Sequence, residues 1–277
     1  MFLSEVVTYH DSRSDEFALF PIGDIHIGAR GVDTDALRDT IARVVKDDGA
    51  RWIGMGDYAE CINLSDKRFD VKSVHPKFLP RLDDLPNACF EELGELFGPI
   101  KDRCVGLLTG NHEETLRLRQ SQDIHGALCL KLGAANLGYD SLIRWKFVRR
   151  GVTRKSRPAS TVVKIFASHS TIASRRDGGK LNRMLDMSTV FDARLLLFGH
   201  GHSGLVGQRI MLGVPDSGAL RLVERPQTVV MTGSYRKGYT EGTLDYAEKA
   251  GYAPTPLGSP KITLRPWAKP RDQVLVQ

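Results

Sequence analysis

The 277-residue chain, 41% hydrophobic and 26% charged, has the length and composition of one sizeable globular domain. It holds no apolar run near the roughly 18 residues of a membrane span, Met1 to Glu5 reach an acidic residue too early for a secretory leader, and Cys61, Cys89, Cys104 and Cys129 are too widely spaced for a zinc knuckle or disulfide framework; a cytoplasmic protein with reduced thiols and no membrane contact is expected. The net charge of +6 suits a phosphate-bearing substrate, nucleic acid included, and serves solubility equally well.

In chain order, Phe17 to Ile22 is an apolar run that ends directly at Gly23-Asp24-Ile25-His26-Ile27-Gly28. Asp33 to Asp47 then shows helical spacing at Leu37, Ile41, Val44 and Val45 behind a cap-like Asp33. Trp52 to Met55 runs into Gly56-Asp57, and Val105 to Leu108 runs into Gly110-Asn111-His112-Glu113. Ile165 to Ala167 leads to His169, and Leu195 to Phe198 leads to Gly199-His200-Gly201-His202. The spacing predicts an α/β fold in which five strands each deliver metal-type residues just past their carboxyl ends, the edge at which open α/β sheets bind ligands.

Residues 60–102 carry Phe69, Phe78, Leu79, Leu82, Leu85 and a helical stretch from Asn87 to Phe97, which reads as a helical insertion over the rim of the site. Residues 140–165 read as a hairpin around a basic stretch with Arg149, Arg150, Arg154, Lys155 and Arg157. Past His202, residues 210–212, 219–223 and 228–232 read as short strands completing a second sheet. The proline- and glycine-bearing residues 236–277 read as an extended tail on the surface. A single domain over 1–277, with its core over 17–235, accommodates all of these.

Five of the eight histidines, His26, His112, His169, His200 and His202, lie in the blocks that follow the strands. With Asp24, Asp57 and Asn111 they make up a ligand set for two adjacent divalent cations. Two such ions roughly 3.5–4 Å apart repel strongly and need a carboxylate between them, a place that falls to Asp57. Asp24, His26 and His202 can serve one ion; Asn111, His169 and His200 can serve the other. Imidazole, carboxylate and amide oxygen together suit Mn2+, the favoured ion, or Fe, Zn2+, Co2+ or Ni2+, better than Ca2+. A hydroxide bridging the ions would attack phosphorus, and His112, left over beside Asn111, would protonate the leaving oxygen with Asp24 holding it in place.

The five blocks match, in order, the GDxHxG, GD, GNH[ED], lone-His and GHxH pattern, so that residues 17–235 resemble the calcineurin-like metallophosphoesterases. The resemblance implies a four-layer α-β-β-α sandwich of two mixed sheets, phosphoester hydrolysis, and the ligand roles above at the matching positions. Glu60, in Gly56-Asp57-Tyr58-Ala59-Glu60, stands where many members have Asp or Asn, and its expected place is behind the ligands.

Arg175, Arg176 and Lys180 lie on a glycine-bearing segment between two ligand blocks and could swing onto a substrate phosphate, or form a plain surface loop. Tyr58 could stack on a base or aryl group, or pack in the core. Glu113 and Glu114 are expected to open a helix, where acidic side chains suit the macrodipole. His10, His75 and His125, each alone, are expected to pack or face solvent. Three functions stay open: a phosphodiesterase that can also act on phosphomonoesters, a DNA or RNA nuclease resembling those of double-strand-break repair, and a non-catalytic scaffold. Monomer and homodimer are both open, since Phe78, Leu79, Leu82 and Leu85 could form a dimer surface as readily as a core.

Overall fold

Phe17–Ile22 is apolar and buried at every position because layers cover both of its faces. The computed structural model describes residues 1–62, 64, 69–151, 160–169, 172, 174–215, 218–241 and 246–277. Its strands are β1 (Phe2–His10), β2 (Phe17–Ile22), β3 (Arg51–Gly54), β4 (Cys104–Leu108), β5 (Asn136–Gly138), β6 (Asp140–Arg149), β7 (Ser160–Ser168), β8 (Leu195–Phe198), β9 (Gly204–Gly213), β10 (Val223–Thr232), β11 (Ile262–Leu264) and β12 (Val274–Val276). Its helices are α1 (Thr34–Lys46), α2 (Leu85–Phe97), α3 (Asn111–Gln120), α4 (Ile124–Leu132), α5 (Asp177–Met187) and α6 (Tyr246–Ala250). The strands form two mixed six-stranded sheets, ordered β1-β6-β7-β8-β10-β9 and β12-β11-β2-β3-β4-β5.

Three cores stack the layers. Between the sheets, Leu19, Ile53 and Leu108 meet Trp145, Ile165, Leu197 and Val230. On the far side of the second sheet, Phe20, Trp52 and Leu107 pack on Leu37 of α1, Leu93 of α2 and Leu128 of α4. On the far side of the first, Phe166, Leu196 and Phe198 pack on Met184 of α5. Along β8, Leu195 and Leu197 therefore face one core while Leu196 and Phe198 face another, which is why the strand is apolar without alternation. The indole N–H of Trp52, which burial would otherwise strand, donates to Ile100 O at 2.8 Å. The outcome is the expected α-β-β-α sandwich.

α1 begins where the Asp33 carboxylate accepts the Ala36 amide at 3.0 Å, and it buries Leu37, Ile41 and Val44 as one stripe while Val45 stays exposed. In residues 60–102, Phe78 and Leu85 are buried and Leu82 packs on the same core, so this apolar group serves the fold's own interior, with Leu79 exposed. β6 and β7 pair antiparallel; the connection 152–159, with Arg154, Lys155 and Arg157, lies outside the described residues.

Two readings need correction, and one strand has no counterpart among them. The strands past His202 are two long ones, β9 and β10, paired antiparallel over ten residues each. Residues 219–222 lie in their connection with Leu220 and Leu222 exposed, so apolar character there marks no buried strand face. Residues 236–277 are more than a surface wrap: β11 and β12 extend the second sheet beyond β2, burying Ile262, Leu264 and Val274. β1, which carries no burial pattern strong enough to read as an element, pairs parallel with β6 along its whole length. Among the described residues no helix is long and apolar enough to cross a membrane.

Candidate metal centre

β2, β3 and β4 are parallel neighbours in one sheet, and β7 and β8 are parallel neighbours in the other. Their carboxyl ends deliver Asp24 and His26, then Asp57, then Asn111 and His112, then His169, then His200 and His202. Asp24, His26, Asp57, His200 and His202 have φ of 49°, 56°, 49°, 67° and 53°, and among the described non-glycine residues only Cys61 and Ser121 share this left-handed backbone. Such a conformation costs about 1–3 kcal/mol per residue and persists only where surrounding contacts dictate it. Here they do. The amides of Ile25 and His26 donate to Asp57 O at 2.9 and 3.0 Å, and Asp24 N donates to Gly56 O at 2.9 Å. Ser234 Oγ and Tyr235 N donate to Asp24 O at 2.9 and 3.1 Å, while the Asp24 carboxylate accepts the His200 amide at 2.9 Å.

The side chains gather into two groups whose ligand atoms lie within 4.8 Å of one another, Asp24-His26-His202 and Asp57-His169-His200, with His26-Glu60-His112 bordering the first. The hydrogen-bond network assigns the tautomers. His169 Nδ1–H donates to Met55 O at 2.6 Å, which leaves Nε2 facing Asp57 Oδ2 and Asn111 Oδ1, both at 3.2 Å. A neutral ring would set a lone pair against two oxygen lone pairs, so this geometry calls for positive charge at Nε2, either a second proton or a metal ion. His26 Nδ1–H donates to Glu60 Oε2 at 2.9 Å and turns Nε2 toward His202 Nε2, 3.1 Å away. His202 Nε2 in turn lies 3.3 Å from Asp24 Oδ1. His200 Nδ1 is buried without a hydrogen-bond partner, 4.0 Å from Asp57 Oδ2. An unpaired buried ring nitrogen such as His200 Nδ1 is rare in a native interior, and the imidazole, carboxylate and amide chemistry gathered around it fits divalent cations.

The electrostatics point the same way. Burial opposes protonation of His169, yet Asp57 and Asp24 raise its pKa to about 10. Burial raises Asp57, but His169, His112 and His26 hold it well below the usual carboxylate range. Burial pushes His26 down to about 4 against the pull of Glu60. Glu60, which burial alone would raise, is held at about 2 by His26 and Arg236. The pocket thus sets imidazole nitrogens around fixed negative charge.

No family model matches the chain, and no curated protein matches it. Among solved structures it is similar to a metallophosphoesterase from Sphaerobacter thermophilus, at 12% identity and a TM-score of 0.38 over 94% of this chain and 87% of that one. It is similar to Vps29 of Entamoeba histolytica in complex with zinc, at 12% identity and a TM-score of 0.37 over 90% and 85%. A third is the calcineurin-like phosphoesterase YfkN from Bacillus subtilis, at 10% identity and a TM-score of 0.38 over 82% and 87%. Likenesses this distant decide nothing about the chemistry, which the chain's own residues carry.

Glu113 does more than favour a helix dipole. Buried at the third position of α3, its carboxylate accepts the amides of Gly110, Asp57, Tyr58 and Ala59 at 3.0, 3.1, 2.7 and 3.1 Å, tying the block after β3 to the block after β4. Burial and the Asp57 charge push its pKa up to about 7. The signal was local, since an acidic residue three places into a helix can reach back to the cap amide. Glu60 lies behind His26 as expected, and it is gripped in turn by Arg236 Nη1 at 2.7 Å.

His112 is held differently from the expectation. Its amide donates to Asp57 Oδ1 at 3.0 Å and its Nδ1–H to Glu60 O, whereas the Asp24 carboxylate is taken up by His200 and His202. Tyr58 is not available to a substrate: it is 1% exposed, donates its hydroxyl to Leu108 O at 2.8 Å, and packs against Phe97 and His125. Arg175 and Arg176 are exposed, and Lys180 is turned inward onto the His200–His202 loop. His10 and His125 are buried packing residues, and His75 caps the Lys77 amide.

Gly110 has no room to be anything else, because a Cβ there would stand 2.0 Å from Asp57 N and 2.2 Å from Asp57 Oδ1. Gly110→Ala is expected to displace Asp57 and to lower stability by about 1–3 kcal/mol, as overpacking does. Urea unfolding reads this; an unchanged midpoint would show the block to be softer than its contacts indicate.

Proposed function

We propose that this chain is a phosphoesterase of the calcineurin-like type, a single domain over 1–277 that uses two divalent cations, Mn2+ favoured, to hydrolyse phosphodiesters. What carries the reading is the convergence on Asp57 of imidazole nitrogens, His26 Nε2 at 4.0 Å, His169 Nε2 at 3.2 Å and His200 Nδ1 at 4.0 Å, delivered from separate strand ends. Asp24, His26 and His202 would hold one cation, Asn111, His169 and His200 the other, and Asp57 both. When bound, the cations supply Lewis acidity toward a phosphoryl oxygen and toward the attacking water.

The chain's own part is orientation and proton transfer. Met55 O and Glu60 fix which nitrogen of His169 and of His26 faces inward, as partners behind metal ligands commonly do. His112, with Nδ1–H engaged by Glu60 O, can as the imidazolium donate from Nε2 to the leaving oxygen; burial opposes that charge, but Asp57 and Glu60 outweigh it and raise the pKa. A diester preference is supported by the nearby cations: Arg236 is paired with Glu60, and Lys180 with Asp177, Ser203 and Gly201. Both are thus engaged within the protein, whereas a terminal phosphate carries a second negative charge that a diester lacks. The full ligand set speaks against a scaffold that has lost catalysis.

The test is a side-by-side assay of the Mn2+-reconstituted protein on an aryl phosphodiester, the corresponding monoester, and labelled single- and double-stranded DNA. Diester turnover above that of the monoester is expected. Faster cleavage of DNA would move the reading to a nuclease, and no turnover of any substrate would restore the scaffold.

A further inference from the structure

Lys180 lies in α5, beyond the segment that follows His169, yet its side chain is only 13% exposed. Its Nζ stands 2.6 Å from Ser203 Oγ, 3.1 Å from Gly201 O and 3.2 Å from Asp177 Oδ1. An ammonium has three protons to donate, and these three acceptors take them, so none is left for a substrate phosphate. Ser203 Oγ, itself buried, passes its own proton to Asp177 Oδ1 at 2.9 Å, which closes the cluster.

The acceptors are placed where they matter for the site. Gly201 separates His200 from His202, Ser203 follows directly, and both histidines hold left-handed backbone at φ 67° and 53°. Left-handed residues outside a regular element relax unless contacts over-determine them. The Gly201 backbone is confined by a second contact as well, since a Cβ there would meet Met231 Sδ at 2.1 Å. α5 is packed on the outer face of its sheet through Met184, so it offers a fixed support.

We infer that Lys180, acting with Asp177 and Ser203, is a positioning residue: it clamps the Gly201–Ser203 backbone to α5 so that His200 and His202 keep the orientation in which they face the cation pocket. The role in cation binding rests on the dinuclear reading above; the clamp itself is a property of the chain alone.

Wild type, Lys180→Met and Asp177→Asn separate the two. Asp177 is largely exposed, so its variant carries little risk of misfolding. Hydrogen exchange on the metal-free proteins reads the amides of residues 199–204, which are expected to exchange at least about tenfold faster in Lys180→Met, with Asp177→Asn shifted in the same direction. Titration with Mn2+ then reads affinity: the variants are expected to bind at least one cation about 10–100-fold more weakly, as loss of an orienting partner does. Their KM for the diester is expected to stay unchanged, and their kcat to recover at high Mn2+. Wild-type exchange in both variants would overturn the clamp. A raised KM with unchanged cation affinity would also overturn it and make Lys180 a substrate contact. A wild-type protein that binds no Mn2+ would sink the dinuclear reading, and the exchange result would still decide the clamp.

Discussion

Asp57→Asn is expected to abolish binuclear loading and turnover together while leaving the fold in place. Asp57 Oδ2 is 3.2 Å from His169 Nε2 and 4.0 Å from both His26 Nε2 and His200 Nδ1, so it is a carboxylate oxygen within reach of both groups of candidate ligands. Two unit charges 4 Å apart at an effective dielectric of 20 interact by about 4 kcal/mol, and two dications by roughly four times that. An amide oxygen carries no net charge to offset such a repulsion. Asn keeps the acceptor for the His112 amide, now 3.0 Å from Asp57 Oδ1, so the start of α3 need not unravel. Metal analysis after dialysis, paired with the diester assay, checks the result. A variant that still loads two ions and turns over at the wild-type rate would remove Asp57 from its assigned place.

His112→Ala is expected to spare metal loading and lower kcat by about 10^2–10^4-fold on a substrate with a poor leaving group, the usual contribution of a positioned proton donor. The reason is geometric. The Nδ1–H of His112 is fixed by Glu60 O, its ring meets His26 edge to face at 4.8 Å, and Nε2 is the nitrogen left to donate when the ring is protonated. A nitrophenolate leaves without needing a proton, whereas an alkoxide does not. The loss should therefore be far smaller on a nitrophenyl diester than on an alkyl diester. Equal losses on the two would assign His112 to binding or to the metal shell, and full activity on both would remove it from the reaction.

Much of this centre is legible in the sequence because the information is local. An apolar run, a glycine and a ligand-type residue in succession state that a strand ends and that the backbone turns sharply where a cation can be met. That grammar places Asp24, Asp57, Asn111, His169 and His200 without any knowledge of which sheet holds which strand. It also places α1, whose stripe of Leu37, Ile41 and Val44 is buried as the spacing predicts.

What escapes is long-range or depends on side-chain direction. Glu60 and Arg236 are 176 residues apart, and Ser234 reaches Asp24 across 210; nothing local joins either pair. Tyr58 follows a candidate ligand directly, but one residue of offset at a strand end decides between pocket and core, and it points into the core. Lys180 shows a cation and neighbouring glycines in the sequence, yet only the fold shows that its three protons are already engaged. β11 and β12 are three residues each, too short for alternation to register among prolines and glycines.

Low-temperature electron paramagnetic resonance of the Mn2+-loaded protein tests the two-cation centre most directly. The predicted result is an exchange-coupled multiline spectrum, which arises only from two manganese ions sharing a bridge, and which disappears in Asp57→Asn. A spectrum of isolated ions alone, unchanged by that substitution, would contradict a centre in which Asp57 joins two cations.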